Sequence, residues 1–232
     1  MDLSNLQSLR YFYPEAILAG TVLVLIFLDL TRKMEKVLGY VAAAGSLLSL
    51  WATLRLHGSA SGWLFDRMIV LDNFSLFFKL VSRVAVLLVI WMSLSAHEIR
   101  AVPQGEYYTV LLTLGLGIFF MASSSNLLMA YLSLELVSLT SYILTASLPH
   151  NRRSSEAGLK YLIYGGVASG TMIYGMSWIY GLAGSMDFAA INAAVHQANG
   201  NSLATFIAVT LVMVGFGYKI AAVPFHMWAP DV

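Results

Sequence analysis

Seven runs of about 20 mostly apolar residues dominate the chain, at roughly 12–30, 37–56, 74–95, 107–124, 126–148, 157–183 and 203–223. Each is long enough for a helix to cross the hydrocarbon core of a bilayer. A backbone in lipid must satisfy its own polar groups, so such runs fold as helices. Composition points the same way. Of 232 residues, 59% are hydrophobic and 11% are charged, less than half the roughly 25% charge of a soluble domain. That is too little charge to coat a water-exposed surface. The 13 basic and 12 acidic residues nearly balance, which excludes a nucleic-acid partner held by a large basic surface. Cysteine is absent, so disulfides, iron–sulfur ligation, thiol catalysis and cysteine zinc sites are excluded. The expected class is an all-α integral membrane protein, a polytopic bundle of about seven transmembrane helices in a lipid bilayer.

The first run follows Asp2 and a polar stretch, without the basic start and small-residue cleavage site of a signal peptide, so it reads as a span. Arg32, Lys33 and Lys36 follow the first span, Arg100 the third, and Arg152 and Arg153 the fifth. The other ends carry only Arg10, Arg55 and Arg67, and 184–202 has no Lys or Arg. The positive-inside rule then places the N-terminus outside. Residues 63–71 are too short to span, and an interfacial hairpin and a short helix both fit them. Residues 187–200 read as a short amphipathic helix with Asp187 as its N-cap.

The few charges inside the spans carry the chemistry. A Lys or Glu at a helix centre costs roughly 2.5–3.5 kcal/mol on insertion scales, so it needs a partner or water. Glu135 lies near the midplane of the fifth span, ~15 Å deep at 1.5 Å per residue. Tyr131, Ser138 and Tyr142 share its helical face. Such a stripe can pass protons, or the carboxylate can pair with a base to fix helix register. Lys160 lies near the inner end of the sixth span, with Glu156 one turn earlier. Tyr164, Thr171, Tyr174 and Trp178 continue that stripe. The pair reads as part of a relay or as an interfacial i,i+4 pair with a snorkelling lysine. Gly166 and Gly170 form a small-residue pair suited to close helix packing.

Lys219 precedes Pro224 by five residues in the seventh span. Proline removes a backbone donor and disfavours helix just before it. A lysine at such a break resembles the discontinuous helices of ion carriers. Low dielectric disfavours the ammonium form, so a lysine there can load and release a proton. His226, after the break, is a relay member or a loop histidine. Lys79 and Arg83, early in the third span behind Asp72, are expected to snorkel or to meet a neighbouring subunit. Gly115-Leu-Gly-Ile-Phe-Phe lacks the third glycine of a dinucleotide fingerprint. No P-loop or paired-histidine motif occurs. The chemistry expected of the chain is the movement of protons or ions.

Three stretches carry a resemblance. Tyr131-Leu-Ser-Leu-Glu-Leu-Val-Ser-Leu-Thr-Ser-Tyr142 resembles the fifth helix of the N subunit of respiratory complex I, an antiporter-like family. Arg153 through Gly170 is similar to its sixth helix. Gly215 through Val232, ending Phe-His-Met-Trp-Ala-Pro-Asp-Val, is similar to its broken seventh helix. Asp72-Asn-Phe-Ser fits the start of the third, and Leu134 before Glu135 points to the N type. The resemblance implies three N-terminal helices, here residues 1–100, before two inverted repeats of five helices. Residues 101–232 would be a partial first repeat, cut inside its discontinuous helix. It implies proton translocation by Glu135, Lys160 and Lys219, and the polar stripes and the proline break add Glu156, Tyr131, Ser138, Tyr164, Pro224 and His226 as supporting candidates. It implies membrane-arm subunits as partners, and flavin, iron–sulfur clusters and quinone in other subunits, with neither NADH nor quinone bound by this chain. The eighth-helix and second-repeat lysines of the family have no counterpart, so the chain is expected to be a fragment or a form completed by another chain. A multisubunit cation/proton antiporter subunit and a scaffold without a complete channel are the competing readings. A bacterial inner membrane is the expected location.

Overall fold

The computed structural model describes residues 5–31, 35–58, 62–96, 99, 102–148, 150–197 and 203–232. Arg32, Lys33 and Arg100 lie outside the described residues, as does the side chain of Lys36. A short helix α1 (Asn5–Leu9) leads into α2 (Tyr13–Leu30) and α3 (Glu35–Leu56). A hairpin of β1 (Gly62–Leu64) and β2 (Ile69–Leu71) follows, then α4 (Asn73–Ser95), α5 (Gln104–Ser123) and α6 (Leu127–Thr145). The chain continues through α7 (Arg152–Ala183), α8 (Phe188–Gln197) and α9 (Leu203–Lys219).

Local rules set these boundaries. Pro14 sits in the first turn of α2, where its missing N–H costs nothing. Asp72 and Ser75 form a reciprocal capping box that starts α4: Ser75 N donates to Asp72 Oδ1 at 2.7 Å and Asp72 N donates to Ser75 Oγ at 3.1 Å. Asn126 and Asn151 cap α6 and α7 with their side-chain oxygens. Gly184 ends α7 with φ at 65°, a left-handed conformation that suits glycine. Asp187 caps α8, accepting from Ala189 N at 2.8 Å. Residues 63–71, left between hairpin and helix by the sequence, are a hairpin with Trp63 opposite Val70.

Among the described residues, five helices are long and apolar enough to cross a membrane: α2, α3 from Val37, α4, α5 and α6. The expectation of seven spans is therefore met by five on length and composition. α9 has 17 residues, ~25 Å at 1.5 Å per residue, because the backbone breaks after Lys219. α7 has 32 residues, and beyond its charged first turns its many Gly, Ser, Thr and Tyr residues keep its apolar content low.

The apolar core has separate centres. Leu18, Leu38, Val86, Ile90, Leu112 and Phe119 pack α2, α3, α4 and α5 together. Tyr131, Met172, Met176, Ala208 and Val212 join α6, α7 and α9. The hairpin covers a third cluster around Leu56, Ile69 and Leu76. At the hairpin end, main-chain hydrogen bonds lace the connections together. Ser125 N donates to Met68 O at 3.1 Å and Leu127 N to Met186 O at 2.9 Å, and bridges join Ile69 to Ser124 and Asn126 to Asp187.

The expected close approach at Gly166 and Gly170 is not where the helices meet. Nothing lies within 4 Å of a Cβ built at either, because both face away from α6 and α9. The tight positions on α7 are Gly158, Gly165 and Gly175. A Cβ at Gly175 would stand 2.9 Å from Ala208 O and Val212 N on α9. Backbone cannot swing aside as a side chain can, so Gly175→Ala is expected to push α7 from α9 at a cost of about 1–3 kcal/mol. A fall of several degrees in the melting temperature of the detergent-solubilised protein checks this.

Candidate proton-handling site

Glu135 lies two turns into α6, ~12 Å from its start. Its carboxylate faces α7 and α9. Lys219, the last residue of α9, approaches it with Nζ 3.7 Å from Glu135 Oε1, and the two side chains are 12% and 23% exposed respectively. The sequence paired these groups only through resemblance, and the fold brings them together across 84 residues of chain by docking α9 along α7, which itself packs on α6.

A separation of 3.7 Å is an ion pair without a good hydrogen bond, since N–H···O bonds cluster near 2.7–3.2 Å. Each partner instead holds a serine. Ser169 Oγ on α7 donates to Glu135 Oε1 at 2.5 Å. Lys219 Nζ donates to Ser138 Oγ, one turn beyond Glu135 on α6. Ser138 in turn donates to Leu134 O at 2.6 Å, so its oxygen lone pair is the one offered to the ammonium. Tyr142 adds a long contact, its OH 3.5 Å from Lys219 Nζ. Gly165 makes room for that phenol: a Cβ there would fall 1.8 Å from Tyr142 OH.

The helix break is built as Pro224 predicts. Ala221 has φ of 51°, a left-handed conformation, and Ala222 N reaches back to Gly217 O at 2.8 Å. The carbonyl of Tyr218, beside Lys219, accepts from Ala221 N at 3.0 Å and from Trp228 Nε1 at 3.1 Å. Trp228 stacks on Tyr161 of α7 at 4.8 Å between ring centroids, which ties the segment after the break to that helix.

Of the remaining expected residues, Tyr131 is buried among Met172 and Met176 near the carboxylate. Lys160 is not brought to Glu135. It pairs with Glu156 at 2.8 Å, the i,i+4 pair foreseen, and with Asp231 at 3.1 Å. Tyr164 is 48% exposed and Tyr174 56%, so their stripe lines the outside of α7 rather than a path past Glu135. Tyr164 instead edges a groove with Thr171, Tyr218, Pro224 and Phe225. The Nδ1 atom of His226 is buried without a hydrogen-bond partner, and among the described residues no hydrogen bond or ion pair joins His226 to Lys219.

Lys79 and Arg83 neither snorkel nor face outward. Lys79 Nζ binds Glu15 Oε1 at 2.5 Å with both side chains 3% exposed. Arg83 is fully buried, its guanidinium 4.4 Å over Phe119 and its Nη1 3.4 Å from Ser46 Oγ. Glu15 Oε2 and Arg83 Nε and Nη2 have no hydrogen-bond partner. The first-turn carboxylate of α2 supplies the counter-charge inside the bundle, which removes the need to reach an interface.

Residues 124–232 match the family described as NADH:quinone oxidoreductase/Mrp antiporter, transmembrane. The NADH-quinone oxidoreductase subunit N of Chlorobium chlorochromatii is 44% identical over 232 residues, covering 97% of this chain and 45% of that protein. By both comparisons the chain is similar to this antiporter-like family of membrane subunits. It spans about half the length of the curated relatives it matches. Among solved structures, the respiratory complex I of Thermus thermophilus contains a chain that superposes with a TM-score of 0.77 at 28% identity, over 94% of this chain and 46% of that one. A chain of the Mrp complex from Dietzia shares the fold at a TM-score of 0.75 and 19% identity, over 94% of this chain and 42% of that one.

Within the family frame, Ser169, Asp231 and Glu15 are the residues that sequence reasoning missed. Ser169 sits off the Glu156–Lys160–Tyr164 stripe, and only its place beside Gly165 and Ala168 on the buried side of α7 marks it. Glu15 reads as an ordinary first-turn acid of α2. Asp231 carries no local signal for Lys160.

Proposed function

We propose that this chain is part of a proton-translocating membrane-arm subunit of a complex I-type NADH:quinone oxidoreductase. The observation that carries the reading is the half-buried Glu135–Lys219 pair at a helix break, 3.7 Å apart and held on each side by a hydroxyl. In this reading Lys219 takes up and releases the transported proton. Glu135 sets how firmly the proton is held, since a carboxylate within ~4 Å favours the charged lysine. Quinone reduction elsewhere in the complex shifts that balance. Lys160, held by Glu156 and Asp231 near the end of the broken segment, receives or delivers the proton at the edge of the site.

The other membrane-arm subunits are the partners, and flavin, iron–sulfur clusters and quinone belong to other subunits. Residues 101–232 form part of one repeat unit behind the N-terminal helices. A bacterial inner membrane with the N-terminus outside accords with the bacterial relatives and with the distribution of Arg and Lys. The antiporter reading shares the fold with Mrp, but the N-type names of the more similar relatives support complex I.

The test is Glu135→Gln in the full-length subunit assembled in its complex. Proton pumping per electron transferred is expected to fall strongly while the subunit remains at its normal level. Unchanged pumping in inverted vesicles would remove the proposal. Purification of the complex without flavin and iron–sulfur subunits would favour the antiporter.

A further inference from the structure

We infer that Ser169 is a positioning residue that keeps Glu135 from closing onto Lys219, so that the lysine proton stays transferable. The inference rests on the proton-handling role proposed for the pair. It starts from a competition at one atom: Glu135 Oε1 is both the oxygen nearest Lys219 Nζ, at 3.7 Å, and the acceptor of the Ser169 hydroxyl, at 2.5 Å. A charge-assisted O–H···O⁻ bond is short and about twice as strong as a neutral one. With that direction occupied, the ammonium turns to Ser138 Oγ instead.

The two serines therefore divide the ion pair, one hydroxyl on each charge. They sit on different helices, Ser169 on α7 and Ser138 on α6. Ser169 is 6% exposed, and its hydroxyl bonds to the carboxylate across 34 residues of sequence. Most other helical hydroxyls here donate to their own helix, as Ser133 does to Met129 O and Thr171 to Val167 O. Ser169 is distinct in spending its donor on a charge. A carboxylate relieved of that donor has one acceptor direction free, and Lys219 is the nearest donor to fill it. A closed pair holds its proton more firmly and passes it on more slowly.

The experiment uses the full-length subunit assembled in its complex and measures protons pumped per assembled complex, beside electron transfer with the gradient collapsed by an uncoupler. Ser169→Ala is expected to lower the pumping rate roughly tenfold, the scale of one hydrogen bond to a charged group, with uncoupled electron transfer kept. Thr and Val have the same shape and differ in the hydroxyl. Ser169→Thr is therefore expected to restore pumping and Ser169→Val to leave it low. A requirement for small volume predicts the reverse order, with Ala best and Thr and Val alike. Normal pumping in Ser169→Ala, or equal pumping in the Thr and Val variants, overturns the inference. If Glu135→Gln and Lys219→Ala pump normally, the role of the pair itself falls. If those two stop pumping and Ser169→Ala does not, only the positioning role is lost.

Discussion

Replacing Lys219 with alanine is expected to reduce proton pumping to background while the subunit remains in the membrane at its normal level. The two halves of this outcome have separate physical grounds. Alanine removes an ammonium that a lipid interior disfavours, and the carboxylate left behind, Glu135, has a side chain 23% exposed rather than sealed in as Glu15 is. Glu135 keeps the Ser169 donor, and Ser138 keeps its bond to Leu134 O. The break persists as well, since Ala221, Pro224 and the bond from Trp228 Nε1 to Tyr218 O do not depend on the lysine side chain. Transfer has no substitute, because no other base is joined to Glu135 by an ion pair among the described residues. Quantitative detection of the subunit beside pumping in inverted vesicles checks both halves. Pumping at the native rate with the subunit present would favour a scaffold role.

Glu15→Gln is expected to act on stability instead, and strongly. In the native bundle Glu15 faces Lys79 at 2.5 Å, with Arg83 one turn deeper on α4. Glutamine leaves two buried cations without a counter-charge, and removing one partner of a buried pair costs about 3–5 kcal/mol. Against a net folding stability of about 5–15 kcal/mol, that is a large share. A marked drop in subunit level and in detergent melting temperature is the expected result. The paired variant Glu15→Gln, Lys79→Met removes one charge of each sign and leaves the net charge of the cluster as it was. It is expected to recover most of the loss, since apolar replacement of a whole buried pair is often neutral. If Glu15→Gln melts like the native protein, or if the double variant is no better than the single, the pair is not what holds this bundle.

What the sequence disclosed and what it hid divide along one physical line. Features set by neighbouring residues were legible: Asp187 as a cap, the stop after Lys219 ahead of Pro224, and helix ends within a few residues in most cases. The site lysine and glutamate were found because lipid makes an ionisable residue conspicuous. Features set by helix rotation were not. The sequence offers Gly158, Gly165, Gly166, Gly170 and Gly175 on one helix, and which of them meets a neighbour depends on how α7 is turned against α6 and α9. The same uncertainty hid Ser169 and promoted Tyr164. Lys79 and Arg83 were placed at an interface because their partner lies 64 residues away for Lys79, and nothing local announces it.

The lacing at the hairpin end has a consequence for local opening. There the connections between α3 and α4, α5 and α6, and α7 and α8 are joined by main-chain hydrogen bonds. At the opposite end of α6, a side-chain bond from Ser154 Oγ to Thr145 O at 2.7 Å and two long bonds, from Leu148 N to Ser154 Oγ and from Asn151 N to Leu148 O, both at 3.4 Å, join it to the start of α7. Backbone amides at the hairpin end are therefore expected to exchange with solvent more slowly than those of the α6–α7 turn. Lys219, which meets Ser138 and Tyr142 on α6, is placed toward the less tightly joined end.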